Sequence, residues 1–404
     1  MATRKKRLRA GQSIWQAFKA PRISTSTPVS GMSADVLVIG AGISGALIGE
    51  RAASAGLSVI IADRRGPILG STPASTALVQ FEIDTPLTKL RARIGHEKAI
   101  RAWRRSKLAV ENLAYRTEHL GIDCHMLRRN SLYLAGNSLN AKELEEEGLA
   151  RNAAGFETEV LSTSQLYTAY GLRRSRALLS FGNLVLNPRL LTAGYLRAGL
   201  QLGVRILSPV EVIGIEDRAY GISATLKGGN LIRAKAVIYA TGYELPDFVK
   251  LRSLQIASTF AIATYPQPRR LWPTQAMIWE ASDPYLYMRT TPDGRIICGG
   301  EDEEFSDEEK RNALLPRKVR RIRAKLQRLM PWVDTTPEFE WSASFGVSST
   351  GLPRIGRVPG RNNVYAALGY GGNGITFSRI AAELLLSQIQ GKADPDADLF
   401  AFKS

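Results

Sequence analysis

Cysteine and histidine are scarce in this 404-residue chain: two cysteines, Cys124 and Cys298, and three histidines, His96, His119 and His125. Two cysteines without C-x-x-C spacing cannot build a disulfide framework, so a reducing compartment, the cytoplasm, is expected. The histidines form no H-E-x-x-H or similar cluster, and no metal site is expected. No apolar run is long enough to span a bilayer. Acidic residues are missing from residues 1–31, which carry Arg4, Lys5, Lys6, Arg7, Arg9, Lys19 and Arg22, seven of the net +17 charges. The same stretch has no apolar core for a signal peptide, because polar residues interrupt 12–19. Residues 1–31 are therefore expected to be a basic, disordered tail. Weak contact with an anionic membrane surface through Leu8, Ile14, Trp15 and Phe18 is the alternative. The remaining positive charge is spread over solvated helix faces such as 89–105 and 310–328, and nucleic acid is not an expected partner.

What the chain does have is a compact pattern beginning at Asp35. An apolar run, 36–39, leads into Gly40, Gly42 and Gly45 at G-x-G-x-x-G spacing. A small-residue helix, Gly56 and a second apolar strand ending at Asp63 follow. This is a βαβ unit suited to an ADP moiety: Gly40 makes the tight turn, Gly42 lets backbone N–H groups reach a pyrophosphate, and Gly45 lets helix pack on strand. The helix start supplies positive dipole to the phosphates. Asp63 stands where a carboxylate accepts hydrogen bonds from the adenosine ribose, which disfavours a 2′-phosphate.

Further along, helical periodicity covers 86–120. Strand 126–135 and a charged helix, 138–154, come next. Asn187 caps a helix with Pro188 at its first position, ending at Gly203. Short strands lead to the strand-end turn Ala240-Thr241-Gly242-Tyr243, residues 257–300 alternate as antiparallel strands with a hairpin at 292–294, and a strand covers 341–347. A second glycine-rich loop, 369–374, opens the last helix and offers a second dipole site to the same ligand.

Taken together, the N-terminal βαβ unit, Gly70-Ser71-Thr72, Ala240-Thr241-Gly242, the loop 351–356 and Gly369-Tyr-Gly-Gly-Asn-Gly-Ile-Thr-Phe-Ser378 resemble the D-amino acid oxidase superfamily of FAD-dependent oxidoreductases, in its glycine oxidase and D-amino acid dehydrogenase-like branch. The resemblance implies an α/β fold: a discontinuous Rossmann-like FAD-binding domain (32–95, 160–248 and 340–404) with an α+β substrate domain on an antiparallel sheet (96–159 and 249–339). It implies non-covalent FAD held by Gly40, Gly42, Ile43, Ser44, Gly45, Asp63, Arg64, Ser71, Thr72, Thr76, Ala77, Val210, Thr241, Gly242, Gly351, Gly372, Asn373, Gly374, Ile375 and Thr376. It also implies hydride transfer from the carbon α to an amine onto flavin N5. The substrate would be a small amine or amino acid, the product imine would hydrolyse, and oxygen or a quinone would reoxidise the flavin.

For a substrate carboxylate, Arg289 is the expected clamp, because a guanidinium fork binds a carboxylate bidentately. A surface arginine on a hairpin is the competing reading. Tyr285 and Tyr287 share its face of the strand by the period of two and could wall the substrate. Glu82, on one face with Gln80 if that segment is extended, could bind an ammonium or take its proton. Thr350 stands where the family commonly has Asp, so no carboxylate contact is carried over to that loop. Two other functions stay open: an FAD-dependent tRNA-modifying oxidoreductase and a non-catalytic FAD-binding scaffold.

Overall fold

The structure, a computed structural model, describes residue 3 and residues 5–19, 21–218, 221–247 and 254–402. Its first sheet is built on Met32–Ile39, which pairs in parallel with Val59–Ala62 on one side and Leu231–Tyr239 on the other. Val364–Leu368 and Arg205–Leu207 extend it. Both faces of this sheet are covered, so its strands read as unbroken apolar runs. Val36 and Val38 point into the core under the helices, whereas Leu37 and Ile39 point to the opposite face, where Val212, Ile222 and Ala224 of an antiparallel meander cover them. The covering helices are Ile43–Ser54, Pro188–Gln201 and Gly374–Ile389. Close approach is required here: a Cβ at Gly45 would lie 1.8 Å from the Gly40 carbonyl oxygen.

The second sheet runs, among the described residues, in the order Pro337–Ser348, Leu254–Thr264, Ile296–Glu303, Leu286–Thr290, Met277–Glu280, Leu127–Leu134, Arg176–Val185. Helix Glu308–Leu329 covers its outer face, where Val319 and Ile322 pack with Phe260, Ile262, Leu286 and Met288. Strand parity then turns Tyr285, Tyr287 and Arg289 to the inner face, toward the first sheet.

The expected domain boundaries need correcting in three places. Helix His96–His119 buries Ala99, Trp103 and Leu113 in the core of the dinucleotide domain, while strands Arg176–Val185 and Pro337–Ser348 belong to the second sheet. The helical stretch 86–120 is two helices, Leu87–Ile94 and His96–His119, divided at Gly95, whose φ of +92° breaks the helical backbone. Among the described residues no helix is long and apolar enough to cross a membrane, and no cluster of His, Cys, Asp and Glu could hold a metal ion.

The N-terminal segment is also a correction. Arg9–Gln12 pairs antiparallel with 340–343 and extends the second sheet, and Leu8, Ile14 and Trp15 are buried. The sequence offers Leu8, Ile14, Trp15 and Phe18 only as parts of a tail or of a weak membrane contact. In the structure Lys5, Arg7 and Lys19 are exposed, while Leu8, Ile14 and Trp15 are buried in the seam between the sheets. Residues 3 and 5–19 act as a strap across that seam. Arg64 donates to Thr3 O (2.9 Å), the Lys6 N–H donates to Glu244 (2.6 Å), Ser13 donates to Pro73 O, and the Trp15 indole donates to Ser75 O (2.7 Å).

Candidate active site

At the carboxyl ends of the parallel strands lies a cleft lined by Gly40, Gly42, Asp63, Arg64, Val210 and Thr241, with Leu8 of the strap at its rim. Gly40 has φ +113°, which a side chain would strain, and a Cβ there would meet the Ala240 carbonyl oxygen at 2.4 Å. Asp63 accepts from the N–H groups of Ala41 (2.8 Å), Arg65 (2.8 Å) and Gly66 (2.9 Å). Its carboxylate thus fixes the turn and still has lone pairs for a ribose hydroxyl. The Ile43 N–H donates to Thr72 Oγ1 (3.1 Å), so the 70–76 loop lies against the start of the first helix.

The second glycine loop joins the first at this point: Ser44 Oγ and Ser378 Oγ are 2.7 Å apart, setting helices Ile43–Ser54 and Gly374–Ile389 side by side. Between these helix starts and the second sheet is a cavity of about 180 Å³. Ile43, Ser44, Ser71, Thr72 and Gly242 line it together with the previous cleft, so the two form a continuous elongated site. Thr76, Ala77, Gly372, Asn373, Gly374 and Ile375 line it as expected. Asn373 and Tyr370 are buried beside it, and among the described residues Asn373 Oδ1 has no hydrogen-bond partner. An unpaired buried polar atom in a glycine-cradled site suits a polar planar ligand. The donor set, two helix N-termini and Asp63 fit FAD.

The opposite wall belongs to the second sheet: Tyr285, Tyr287, Trp279, Thr259 and Phe345. Tyr285 Oη donates to Asp302 Oδ2 (2.5 Å), and burial pushes the Asp302 carboxyl up to about 6 despite that bond. Burial also raises both tyrosine phenols. Asp84 lines the cavity, is accessible through it, and accepts from the Gly372 N–H (2.8 Å). Deep placement raises its pKa as well.

Five expected site residues lie elsewhere. Arg289 is 1% exposed, donates to Ala77 O (3.0 Å) and Leu186 O (3.1 Å), and lies under the Trp15 ring. Nη1 makes both of these backbone contacts, and Arg289 is not among the residues that line the cavity; burial and Arg129 pull it down to about 9. Glu82 is buried with Arg151, Ser131 and Asn183 around it, and burial raises its pKa. The reason is local: the backbone bends at 81–82 and 84–85 instead of running as strand, so the period of two that would put Gln80, Glu82 and Asp84 on one face fails, and only Gln80 and Asp84 of the three line the cavity. Thr376 turns its hydroxyl to Gln80 O (2.8 Å), and Gly351 packs on Thr85. Gly45 serves the fold, as its contact with Gly40 requires. Cys298 faces the core under helix Glu308–Leu329, away from the cavity.

Asp84, Trp279, Phe345, Tyr243 and Tyr370 were not singled out in the sequence. The only local cue was the Gln80-Phe-Glu-Ile-Asp84 run of polar residues after a hydroxyl-rich loop, which did not say which carboxylate faces inward.

A family model described as DAO, FAD dependent oxidoreductase, matches residues 35–388. Gamma-glutamylputrescine oxidoreductase of Escherichia coli is 24% identical over 380 residues, covering 90% of this chain and 85% of that protein. The tRNA 5-methylaminomethyl-2-thiouridine biosynthesis bifunctional protein MnmC of Cupriavidus necator is 24% identical over 425 residues, 95% of this chain but 61% of that protein. The chain thus spans about three-fifths of that relative's length. Among solved structures, glycine oxidase from Geobacillus kaustophilus superposes with a TM-score of 0.73 at 20% identity, covering 92% of this chain and 99% of that one, a likeness of fold.

Proposed function

The chain belongs to the DAO family of FAD dependent oxidoreductases, and we propose that it oxidises a small amine in the cavity between its two sheets. Bound FAD supplies the hydride acceptor. The chain's residues then have three tasks. Gly40, Gly42 and the helix starting at Ile43 would hold the pyrophosphate, and Asn373 with the start of helix Gly374–Ile389 would hold the ring system. Tyr285, Tyr287, Trp279 and Phe345 exclude water and orient the carbon to be oxidised. Asp84 Oδ1 takes the proton that the ammonium must lose so that the nitrogen lone pair can drive hydride departure from carbon α. The resulting C=N bond is then open to hydrolysis, and oxygen or a quinone is the terminal acceptor.

The single observation behind this reading is the continuity of the glycine-lined cleft with a wall of aromatic and acidic side chains. The name of the E. coli relative, which contains an amine, agrees with it. A second reading, an amine carried on a tRNA base, is favoured by the name of the MnmC relative and the basic net charge. It fails if tRNA binds no tighter than random RNA and is lost at moderate salt. The test of the main reading is anaerobic addition of a panel of primary and secondary amines to the full chain loaded with FAD. Loss of the oxidised flavin band supports it; an unchanged band with every amine contradicts it.

A further inference from the structure

We infer that Asp84, seconded by the Tyr285–Asp302 pair, is the binding site of the substrate's ammonium group, and that the amine this enzyme takes bears no carboxylate on its reacting carbon. This assignment depends on the cavity being the amine site, as proposed above.

Asp84 is held for such a task. The Gly372 N–H occupies its Oδ2 at 2.8 Å, and Oδ1 has no hydrogen bond among the described residues. The loop is shaped around this carboxylate: a Cβ at Gly371 would lie 3.0 Å from Asp84 Oδ2, and one at Gly372 would lie 2.9 Å from Oδ1. Asp302 is fixed by Tyr285 at 2.5 Å, with Thr259 beside it. The rings of Tyr285 and Tyr287 stand 5.7 Å apart, tilted by 32°, and both line the cavity with Trp279 and Phe345. Aromatic faces attract cations and carry nothing for an anion. Each of these groups favours a positive ligand, and the charge of Asp84 adds to the cost of ionising Asp302, a cost that a bound ammonium lowers.

A carboxylate on the reacting carbon would need a counter-charge. The cations of this region lie off the cavity wall: Arg289 donates through Nη1 to Ala77 O and Leu186 O, Arg151 is paired with Glu147 (2.8 Å), and Lys318 with Glu303 (2.6 Å). Among the described residues the cavity wall carries no cation. An α-amino acid would set its carboxylate beside Asp84 with no counter-charge on the cavity wall, which like charge penalises.

The test uses two ligands that cannot be oxidised because the carbon beside nitrogen bears no hydrogen: tert-butylamine and α-aminoisobutyrate, which differ by a methyl in place of a carboxylate. Binding to the FAD-loaded full chain is read by calorimetry and by perturbation of the visible flavin spectrum. tert-Butylamine is expected to bind at least about tenfold tighter than α-aminoisobutyrate, and Asp84→Asn to weaken it by about tenfold or more, the size of one lost charge-assisted contact. Asp302→Asn is expected to weaken it less. FAD content, measured for each variant by release on denaturation, should be unchanged. Tighter binding of α-aminoisobutyrate, equal binding of the two, or no effect of Asp84→Asn at full FAD content would each overturn the assignment. Oxidation is scored separately: if amines bleach the flavin while α-aminoisobutyrate binds tighter, the ammonium site falls and the oxidoreductase reading stands.

Discussion

The indole of Trp15 covers the guanidinium of Arg289, whose Cζ lies 5.2 Å from the ring centroid, while the indole N–H donates to Ser75 O at 2.7 Å. One residue of the N-terminal strap therefore closes over the arginine from the inner sheet face and holds the loop that runs past the flavin-side cavity. Arg189 adds to this by donating to Trp15 O. Replacing Trp15 by Ala should cost about 3 to 5 kcal/mol, as for other buried aromatic deletions, and should lower FAD occupancy through the loosened 71–76 loop. Phe at this position should restore most of the stability but not the Ser75 contact. Thermal melts and the ratio of flavin to protein absorbance of purified variants check both statements.

Arg289 is a structural cation in this arrangement. Arg289→Ala leaves the carbonyls of Ala77 and Leu186 buried without their donor, and a loss on the order of 3 kcal/mol is expected. The ratio of affinities for tert-butylamine and α-aminoisobutyrate should not change. A selective loss of α-aminoisobutyrate binding would return Arg289 to the substrate site.

Gly45 and Gly42 separate fold from cofactor. Gly45→Ala would drive a methyl into the Gly40 carbonyl and should destabilise the whole domain, whereas a Cβ at Gly42 meets only Thr72 Oγ1 at 3.3 Å. Gly42→Leu should therefore leave a folded chain with little retained FAD. Circular dichroism melts paired with flavin content distinguish the two outcomes.

How much of this was legible beforehand follows physical lines. The first sheet and its glycine turn were readable because their requirements are local: apolar strand, tight turn, small-residue helix and acid in one continuous stretch. The Asn187–Pro188 helix start was readable for the same reason, and Asn187 Oδ1 does accept from Arg189 N (3.0 Å) and Leu190 N (3.2 Å). What failed depended on distant partners. Arg289 has the expected strand face, but the strap 274 residues upstream in sequence order fills the space its fork would need. Glu82 leaves the face that a period of two would give it with Gln80 and Asp84, because the backbone bends at 81–82 and 84–85. The strap itself gave no signal, since a four-residue strand gains its stability from the edge of a sheet formed by 337–348.

The pH response should reveal Asp302. Its carboxyl is pushed up to about 6 by burial, with Tyr285, Thr259, Asp84 and Lys318 as its charged and polar neighbours. A carboxyl raised above its unfolded value binds its proton more tightly in the folded state, so its contribution to stability is full below the unfolded pKa and is lost as pH rises through about 6. Ammonium binding should move the other way, strengthening as Asp302 ionises while the ligand stays protonated. Melts and tert-butylamine titrations from pH 5 to about 7.5, compared with Asp302→Asn, check both slopes; the variant should flatten each.

The most direct measurement is the anaerobic rate of flavin reduction by a primary alkylamine, in the full chain and in Asp84→Asn at matched FAD content. Reduction by the unaltered chain, with the second-order rate falling by roughly ten- to a hundredfold in the variant, is expected if Asp84 binds the ammonium and takes its proton. An oxidised flavin spectrum that no amine changes, or equal rates in the two proteins, would contradict amine oxidation at this cavity.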